Sequence, residues 1–183
     1  MTVLDAALTT WINGWAEHVA AADVLMTWMS ALGIPVLVLA VAMQWWLPRP
    51  DRSRRHVLVA AGLSFLLSLG LNQVVLLFVQ RLRPYDVGVS HLLVERSADF
   101  SFPSDHATAS VAIAAAFLMH GLKRQGLAFL AAAALLAVSR IYIGTHFLGD
   151  VLGGAITGVA AAAAVRAAYR EGTRADRLIT GIL

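Results

Sequence analysis

Two long apolar stretches separated by three residues decide the fold: residues 125–143, QGLAFLAAAALLAVSRIYI, and residues 147–168, FLGDVLGGAITGVAAAAAVRAA. A helix needs about 20 apolar residues to cross roughly 30 Å of hydrocarbon. Across all 183 residues, 59% are hydrophobic and 14% are charged, whereas soluble domains average about 45–50% apolar and about 25% charged residues. The chain is therefore predicted to be an integral membrane protein with an all-α, bundled fold.

Three further apolar stretches lie upstream of these two, which gives about five predicted transmembrane helices. They are Asp23–Leu47, His56–Gln80 and Ser104–Met119, and the last is short enough that we expect it to begin in or below the membrane interface. Apolar residues recur every three or four positions in Val3–Ala21, which predicts an amphipathic helix lying in the interface. We expect a single domain, 1–183, composed of this interfacial helix (1–21), a transmembrane core (22–170) and a cytoplasmic tail (171–183).

Small residues and cysteine content constrain how the bundle holds together. Gly149-x3-Gly153 and Gly154-x3-Gly158 in the last stretch predict close approach of neighbouring helices. The chain has no cysteine, which excludes disulfides, thiolate metal sites and thiol nucleophiles. Its net charge of +3 comes from arginines and lysines between apolar runs, so it reflects membrane topology and does not indicate nucleic-acid binding.

The distribution of basic residues predicts the orientation in the membrane. Ten of the fourteen lie in the loops 48–56 and 120–125, near the end of the last span, or in the tail, and the positive-inside rule places them in the cytoplasm. The other four, Arg81, Arg83, Arg96 and Arg140, are then exterior and need another explanation. This second group is therefore predicted to face the exterior.

Residues suited to phosphate chemistry gather on that exterior side. His146 and Asp150 are four residues apart, so a helix would place them on one face, where the carboxylate can orient the imidazole. Residues 103–106, Pro-Ser-Asp-His, open another helix, and helix N-termini bind anions. Arg83 and Arg140 can grip phosphate oxygens, and His106 can protonate a leaving oxygen.

These segments resemble the type-2 phosphatidic acid phosphatase superfamily, whose pattern is Lys-x6-Arg-Pro, Pro-Ser-Gly-His and Ser-Arg-x5-His-x3-Asp. The third element is complete in residues 139–150, the second carries Asp105 in place of glycine, and the first has Leu76 in place of lysine before Arg83-Pro84. Both departures are typical of one member of that superfamily, the bacitracin-resistance type of undecaprenyl-diphosphate phosphatase. The segments RLRPY at 81–85 and SFPSDHAT at 101–108 resemble the corresponding segments of that type.

The resemblance implies a mechanism and a residue for each role. His146 would be the nucleophile that forms a phosphohistidine, Asp150 its partner and His106 the general acid. The phosphate ligands would be Arg83, Ser104, Asp105 and Arg140, with Arg81 as a candidate substitute for the missing lysine. The resemblance implies no metal and no cofactor.

The resemblance also implies a location, a bacterial inner membrane with the active site facing the periplasm or exterior. The implied substrate is a polyprenyl diphosphate in that membrane. Cleavage of undecaprenyl diphosphate to undecaprenyl phosphate recycles the lipid carrier of peptidoglycan biosynthesis and confers bacitracin resistance. Phosphatidylglycerophosphate, phosphatidate or lipid A phosphate are alternative substrates. A non-catalytic headgroup binder or flippase is the alternative of another class, and the intact His146–Asp150 pair argues against it. The oligomeric state and the roles of His91, Arg96 and Asn72 stay open at this point.

Overall fold

A computed structural model describes residues 2–46 and 51–182 and folds them into seven α-helices with no strand in those two ranges. The helices are α1 Val3–Asn13, α2 Ala20–Ala42, α3 Arg52–Leu76, α4 Asp105–Met119, α5 Lys123–Tyr142, α6 Leu148–Ala168 and α7 Arg174–Thr180, and a short 3-10 helix, Met43–Trp46, continues α2. The all-α prediction is confirmed. Leu47, at the end of the predicted stretch Asp23–Leu47, and the first residues of the predicted loop 48–56, through Pro50, lie outside the described residues.

Four helices are long and apolar enough to cross a membrane, namely α2 with its 3-10 extension, α3, α5 and α6. The fifth, α4, has 15 residues and is about 22 Å long, short of the roughly 30 Å of hydrocarbon. It lies at the centre of the bundle, packed against α3, α5 and α6. Because protein and not lipid surrounds it, α4 does not need the full span length.

Small side chains allow this central packing. Most of α4 is buried, including the six alanines from position 107 to position 116. On α6, a β-carbon at Gly154 would lie 2.6 Å from the carbonyl oxygen of Ser104, and one at Gly158 would lie 2.5 Å from that of Thr108. The prediction that these glycines serve helix packing is confirmed, because only hydrogen fits there.

The N-terminal helix is shorter than the predicted 3–21. It ends at Asn13, whose side chain anchors this end of the helix by donating to the carbonyls of His91 and Tyr142, at 2.9 and 2.7 Å. Glu17 then adopts a positive φ of 67° in the turn before α2. Val3, Leu4 and Trp11 are exposed on α1, and Trp15 is exposed in the turn that follows, as expected of a segment that contacts the interface.

The predicted tail contains a helix that docks on the bundle. Asp176 of α7 accepts hydrogen bonds from the Gly172 amide at 2.7 Å and from Tyr169 at 2.8 Å, and its Oδ1 lies 2.8 Å from Nδ1 of His56. Burial by itself raises the pKa of Asp176, but these hydrogen bonds outweigh it and lower the pKa below its usual range. Helix α7 is therefore an ordered cap on the end of the bundle where α3 begins.

Candidate active site

The three predicted segments meet at the other end of the bundle, where α3 and α5 end and α4 and α6 begin. They surround a cavity of about 210 Å³, called here the polar cavity. Five of the eight predicted site residues line it, Arg83, Asp105, His106, Arg140 and His146, together with Gln73, Leu76, Ser97, Asp99, Phe100 and Pro103. The convergence comes from topology, since each segment adjoins a helix terminus on this one side.

His146 is held in one tautomer. Its Nδ1 lies 2.8 Å from the carbonyl oxygen of Ser101, and because a carbonyl only accepts, Nδ1 carries the proton and donates it. The lone pair is therefore on Nε2, which lies 3.3 Å from Nη1 of Arg83 beside the polar cavity. Burial is the main cause that lowers the pKa of His146 to about 4; Arg140 and Arg83 act in the same direction and Asp150 opposes them. The imidazole is neutral at physiological pH.

The turn that carries His146 depends on Gly144, whose φ is +82°. A β-carbon there would collide with the His91 carbonyl oxygen, so a larger residue would meet both backbone strain and a steric clash. The Ser90 hydroxyl donates to the Gly144 carbonyl at 2.8 Å. His91 thus packs against the Gly144 turn through its backbone carbonyl. Neither His91 nor Arg96 lines the polar cavity.

The expected pairing of His146 and Asp150 within one helix is wrong in its geometry. His146 precedes α6, which begins at Leu148, and its Nδ1 lies 3.7 Å from Oδ2 of Asp150, beyond hydrogen-bond distance. Asp150 instead caps its own helix by accepting from the Phe147 amide at 2.8 Å. Ser101 connects the two residues, because its carbonyl holds His146 and its hydroxyl donates to Asp150.

Arg83 and Arg140 both line the polar cavity, but they differ in how many of their hydrogen-bond donors have a partner. Arg83 is buried and donates to the carbonyls of Asp99 and Thr145, at 2.9 and 3.0 Å. Arg140 donates through Nη1 to the Ser30 hydroxyl, while its buried Nε has no partner among the described residues. A buried donor without a partner is costly, so Arg140 is suited to an anionic ligand.

The start of α4 has a second orphan group. Ser104, its N-cap, is fully buried, and its hydroxyl caps nothing and has no partner in the described part of the chain. Asp105 follows, and its carboxylate accepts from Asn72 Nδ2 at 2.6 Å. Since a carboxylate repels phosphate oxygens, the group that Asp105 can offer to an anion is its backbone amide at the helix N-terminus.

Arg81 is one of three predicted residues that do not line the polar cavity, together with Ser104 and Asp150. Its Nη1 lies 2.7 Å from Oδ1 of Asp150, its Nη2 lies 2.5 Å from Oδ2 of Asp5, and its guanidinium stacks over the Phe147 ring at 4.0 Å. Leu76, at the position of the family lysine, does line the polar cavity. The geometry therefore does not support Arg81 as a substitute for that lysine.

Two residues of this network were missed in the sequence analysis. Ser101 stands just before the Pro103–His106 segment with no signal of its own, because a backbone carbonyl carries no residue identity. Asp5 had a weak signal, because it is a carboxylate in an otherwise apolar helix. Arg81 was an exterior arginine that lacked an explanation, so the two were candidate partners. Within the ranges 2–46 and 51–182, no three His, Asp or Glu side chains gather as a possible metal site.

Comparisons with known proteins agree with this geometry. The model of the family described as the PAP2 superfamily matches residues 57–174. Undecaprenyl-diphosphatase BcrC of Bacillus subtilis (strain 168) is 32% identical over 148 residues, which cover 81% of this chain and 75% of the relative.

Two solved structures share the fold. The crystal structure of Aquifex aeolicus LpxE matches with a TM-score of 0.74 and 25% identity, covering 90% of this chain and 95% of the other. The first transmembrane PAP2-type phosphatidylglycerolphosphate phosphatase from Bacillus subtilis matches with a TM-score of 0.64 and 25% identity, covering 93% and 87%. Because the family match includes every segment that surrounds the polar cavity, the chain belongs to the PAP2 superfamily and is a multi-pass membrane lipid phosphatase.

Proposed function

We propose that the chain hydrolyses undecaprenyl diphosphate to undecaprenyl phosphate and inorganic phosphate at the outer face of a bacterial inner membrane. The observation that carries the chemistry is the hydrogen bond from His146 Nδ1 to the Ser101 carbonyl. It leaves the Nε2 lone pair beside Arg83 at the polar cavity. A neutral imidazole with a fixed tautomer is suited to attack phosphorus.

The first step transfers the terminal phosphoryl group to His146. Nε2 forms a bond to phosphorus, the bridging P–O bond breaks, and the imidazolium form of His106 gives a proton to the departing undecaprenyl phosphate, which leaves His106 neutral. Negative charge on the equatorial oxygens is met by Arg83, Arg140 and the first amides of α4. Attachment at Nε2 makes the ring cationic, and the Ser101 carbonyl and the nearby Asp150 stabilise that cation.

The second step returns the enzyme to its starting state. Water gives a proton to His106 and its oxygen bonds to phosphorus, while the Nε2–P bond breaks and inorganic phosphate leaves. Two successive steps, each with a lower barrier, replace one direct hydrolysis. Enzymes that hydrolyse phosphate esters lower the activation barrier by roughly 20 kcal/mol. Correctly placed arginines contribute a large part of this in phosphoryl transfer, about 10³- to 10⁵-fold in rate.

The choice of undecaprenyl diphosphate rests on two supports. The RLRPY and SFPSDHAT segments resemble the bacitracin-resistance type, and a curated relative named undecaprenyl-diphosphatase is 32% identical over most of the chain. A phosphatidylglycerophosphate phosphatase is the second candidate, because a structure of that description has the same fold. The excess of basic residues at the opposite end supports an exterior active site.

Phosphate release by the detergent-purified chain tests this proposal. We expect selective cleavage of undecaprenyl diphosphate over phosphatidylglycerophosphate, phosphatidate and undecaprenyl monophosphate, with a chelator present. Preference for a glycerolipid would retain the mechanism and replace the substrate. No release from any of the four would contradict the proposal and favour a headgroup binder or flippase.

A pair of histidine variants tests the nucleophile. His146→Ala should lower kcat by at least about a thousandfold, since no other group can form the covalent intermediate. His120→Ala is the matched control, because His120 lies at the far end of α4, where its Nδ1 is 2.8 Å from the Ala116 carbonyl oxygen. Turnover by His146→Ala close to that of the control would overturn the assignment.

A further inference from the structure

The N-terminal helix α1 lies against the active-site end of the bundle, outside the residues that the family model matches. Its Asp5 accepts a hydrogen bond through Oδ1 from the Gly149 amide at 2.8 Å, and the Thr9 hydroxyl accepts from the Leu148 amide at 3.1 Å. Both amides belong to the first turn of α6 and have no partner within that helix. The side chains of α1 therefore complete the start of α6.

Asp5 also holds Arg81, which in turn holds Asp150. The Asp5–Arg81 and Arg81–Asp150 ion pairs measure 2.5 and 2.7 Å. Asp150 is fully buried, and a buried carboxylate needs a compensating cation and hydrogen bonds. One guanidinium thus joins a carboxylate of α1 to the carboxylate beside the proposed nucleophile.

Arg81 reaches Ser101 by two routes. Its backbone carbonyl accepts from the Ser101 amide at 2.8 Å, and its side chain binds Asp150, which accepts from the Ser101 hydroxyl. Ser101 is the residue whose carbonyl keeps the proton on Nδ1 of His146. The position of Arg81 consequently determines the position of the group that selects the reactive tautomer.

We propose that Asp5 and Arg81 are positioning residues for the phosphatase reaction, and that α1 is part of the active site. This inference rests on the proposed role of His146 as nucleophile. Asp5 fixes the guanidinium of Arg81, and Arg81 fixes Asp150 and Ser101 around the imidazole. Neither residue lines the polar cavity, and the side chains of both are already paired with each other, with Asp150 and with the start of α6, so both act on the alignment of His146 and not on phosphate binding.

Separate measurement of kcat and KM for undecaprenyl diphosphate tests the proposal on the full-length purified chain. Asp5→Asn should lower kcat by about tenfold or more, because misplacing a reacting group by about 1 Å can cost about a hundredfold. KM should stay within about twofold of the wild-type value. Arg81→Lys is the second variant, because it retains a charge and the backbone carbonyl that binds Ser101 while losing the planar fork.

The double variant tests whether Asp5 acts through Arg81. Asp5→Asn in the Arg81→Lys background should lower kcat by no more than about a further twofold, since residues in one network are non-additive. The matched controls are Asp86→Asn and Arg96→Lys, an exposed ion pair at the same end with a separation of 3.5 Å. These controls should retain wild-type kcat.

The possible results separate this proposal from the proposed function. A rise in KM with unchanged kcat would make Arg81 a phosphate ligand and overturn the positioning role. Wild-type kcat in both single variants would overturn it too, as would losses that multiply fully in the double variant. If the wild type is active and His146→Ala is inactive, such results refute only the positioning role; an inactive wild type refutes both.

Discussion

Replacement of Ser104 by alanine is expected to separate stability from activity. The Ser104 side chain is fully buried, and its hydroxyl has no hydrogen-bond partner in the described residues. An unpaired buried hydroxyl costs about 1–3 kcal/mol of stability. Ser104→Ala should therefore leave the free energy of unfolding unchanged or raise it by about 1 kcal/mol, which corresponds to about 2–4 °C in Tm for a chain of this size.

The same substitution should lower activity. If the Ser104 hydroxyl donates to a bound phosphate, its removal forfeits one hydrogen bond to a charged group, worth about 1.5–3 kcal/mol. Since about 1.4 kcal/mol is a factor of ten, kcat/KM should fall by roughly 10- to 150-fold. The expected combination, a protein at least as stable and much less active, is typical of a residue kept for ligand binding.

Ser64→Ala provides the matched control. Ser64 is equally buried on α3, but its hydroxyl donates to the Ala60 carbonyl at 2.7 Å. Its removal should lower stability slightly, by about 0.5–1 kcal/mol, and leave kcat/KM unchanged. Thermal unfolding and phosphate release are measured for both variants in the same detergent. A Ser104→Ala variant that is destabilised by more than about 1 kcal/mol and retains kcat/KM within twofold would refute the reasoning.

Two further predictions concern pH and helix packing. In the proposed mechanism His146 attacks only when neutral, so a pKa near 4 predicts that at pH 5.5 about 97% of it is reactive, against about 9% for an ordinary histidine. The dependence of kcat/KM on pH is measured with two substrates whose phosphate groups differ in acidity, so that titration of the substrate can be recognised. A fall in kcat/KM toward low pH with its midpoint near 6.5 for both substrates would contradict this prediction. Gly158→Ala, whose β-carbon would lie 2.5 Å from the Thr108 carbonyl oxygen, should lose about 1–3 kcal/mol of stability. Gly62→Ala, with open space at its β-carbon, should gain about 0.5–1 kcal/mol, and equal shifts in thermal unfolding would contradict the packing argument.

The helical architecture was predictable because lipid imposes it locally. Each apolar run satisfies its backbone hydrogen bonds within its own helix, so length and hydropathy sufficed to identify α2, α3, α5 and α6. The short stretch 104–119 was also recognised as too short to span. Its central, protein-enclosed position depends on which helices surround it, and one helix's sequence does not encode that.

The site was predictable to the level of its segments. Topology requires Arg83, His106, Arg140 and His146 to lie on one side of the membrane, and the structure gathers them around the polar cavity. The detailed pairing was not predictable, because an i, i+4 spacing implies contact only inside a helix. His146 precedes α6, so the inference drawn from that spacing did not apply to it.

By itself, the sequence determined the membrane solvent and the helical class, and it supplied the candidate site residues and their proposed exterior side. These properties follow from local hydropathy, from charge counting and from motifs whose members are close in the chain. Only the tertiary structure decided that Ser101 orients His146 through its carbonyl, and that Asp5 binds Arg81 from 76 residues away. Such contacts depend on how distant helices dock to within about 3 Å, and neither periodicity nor residue type specifies that distance.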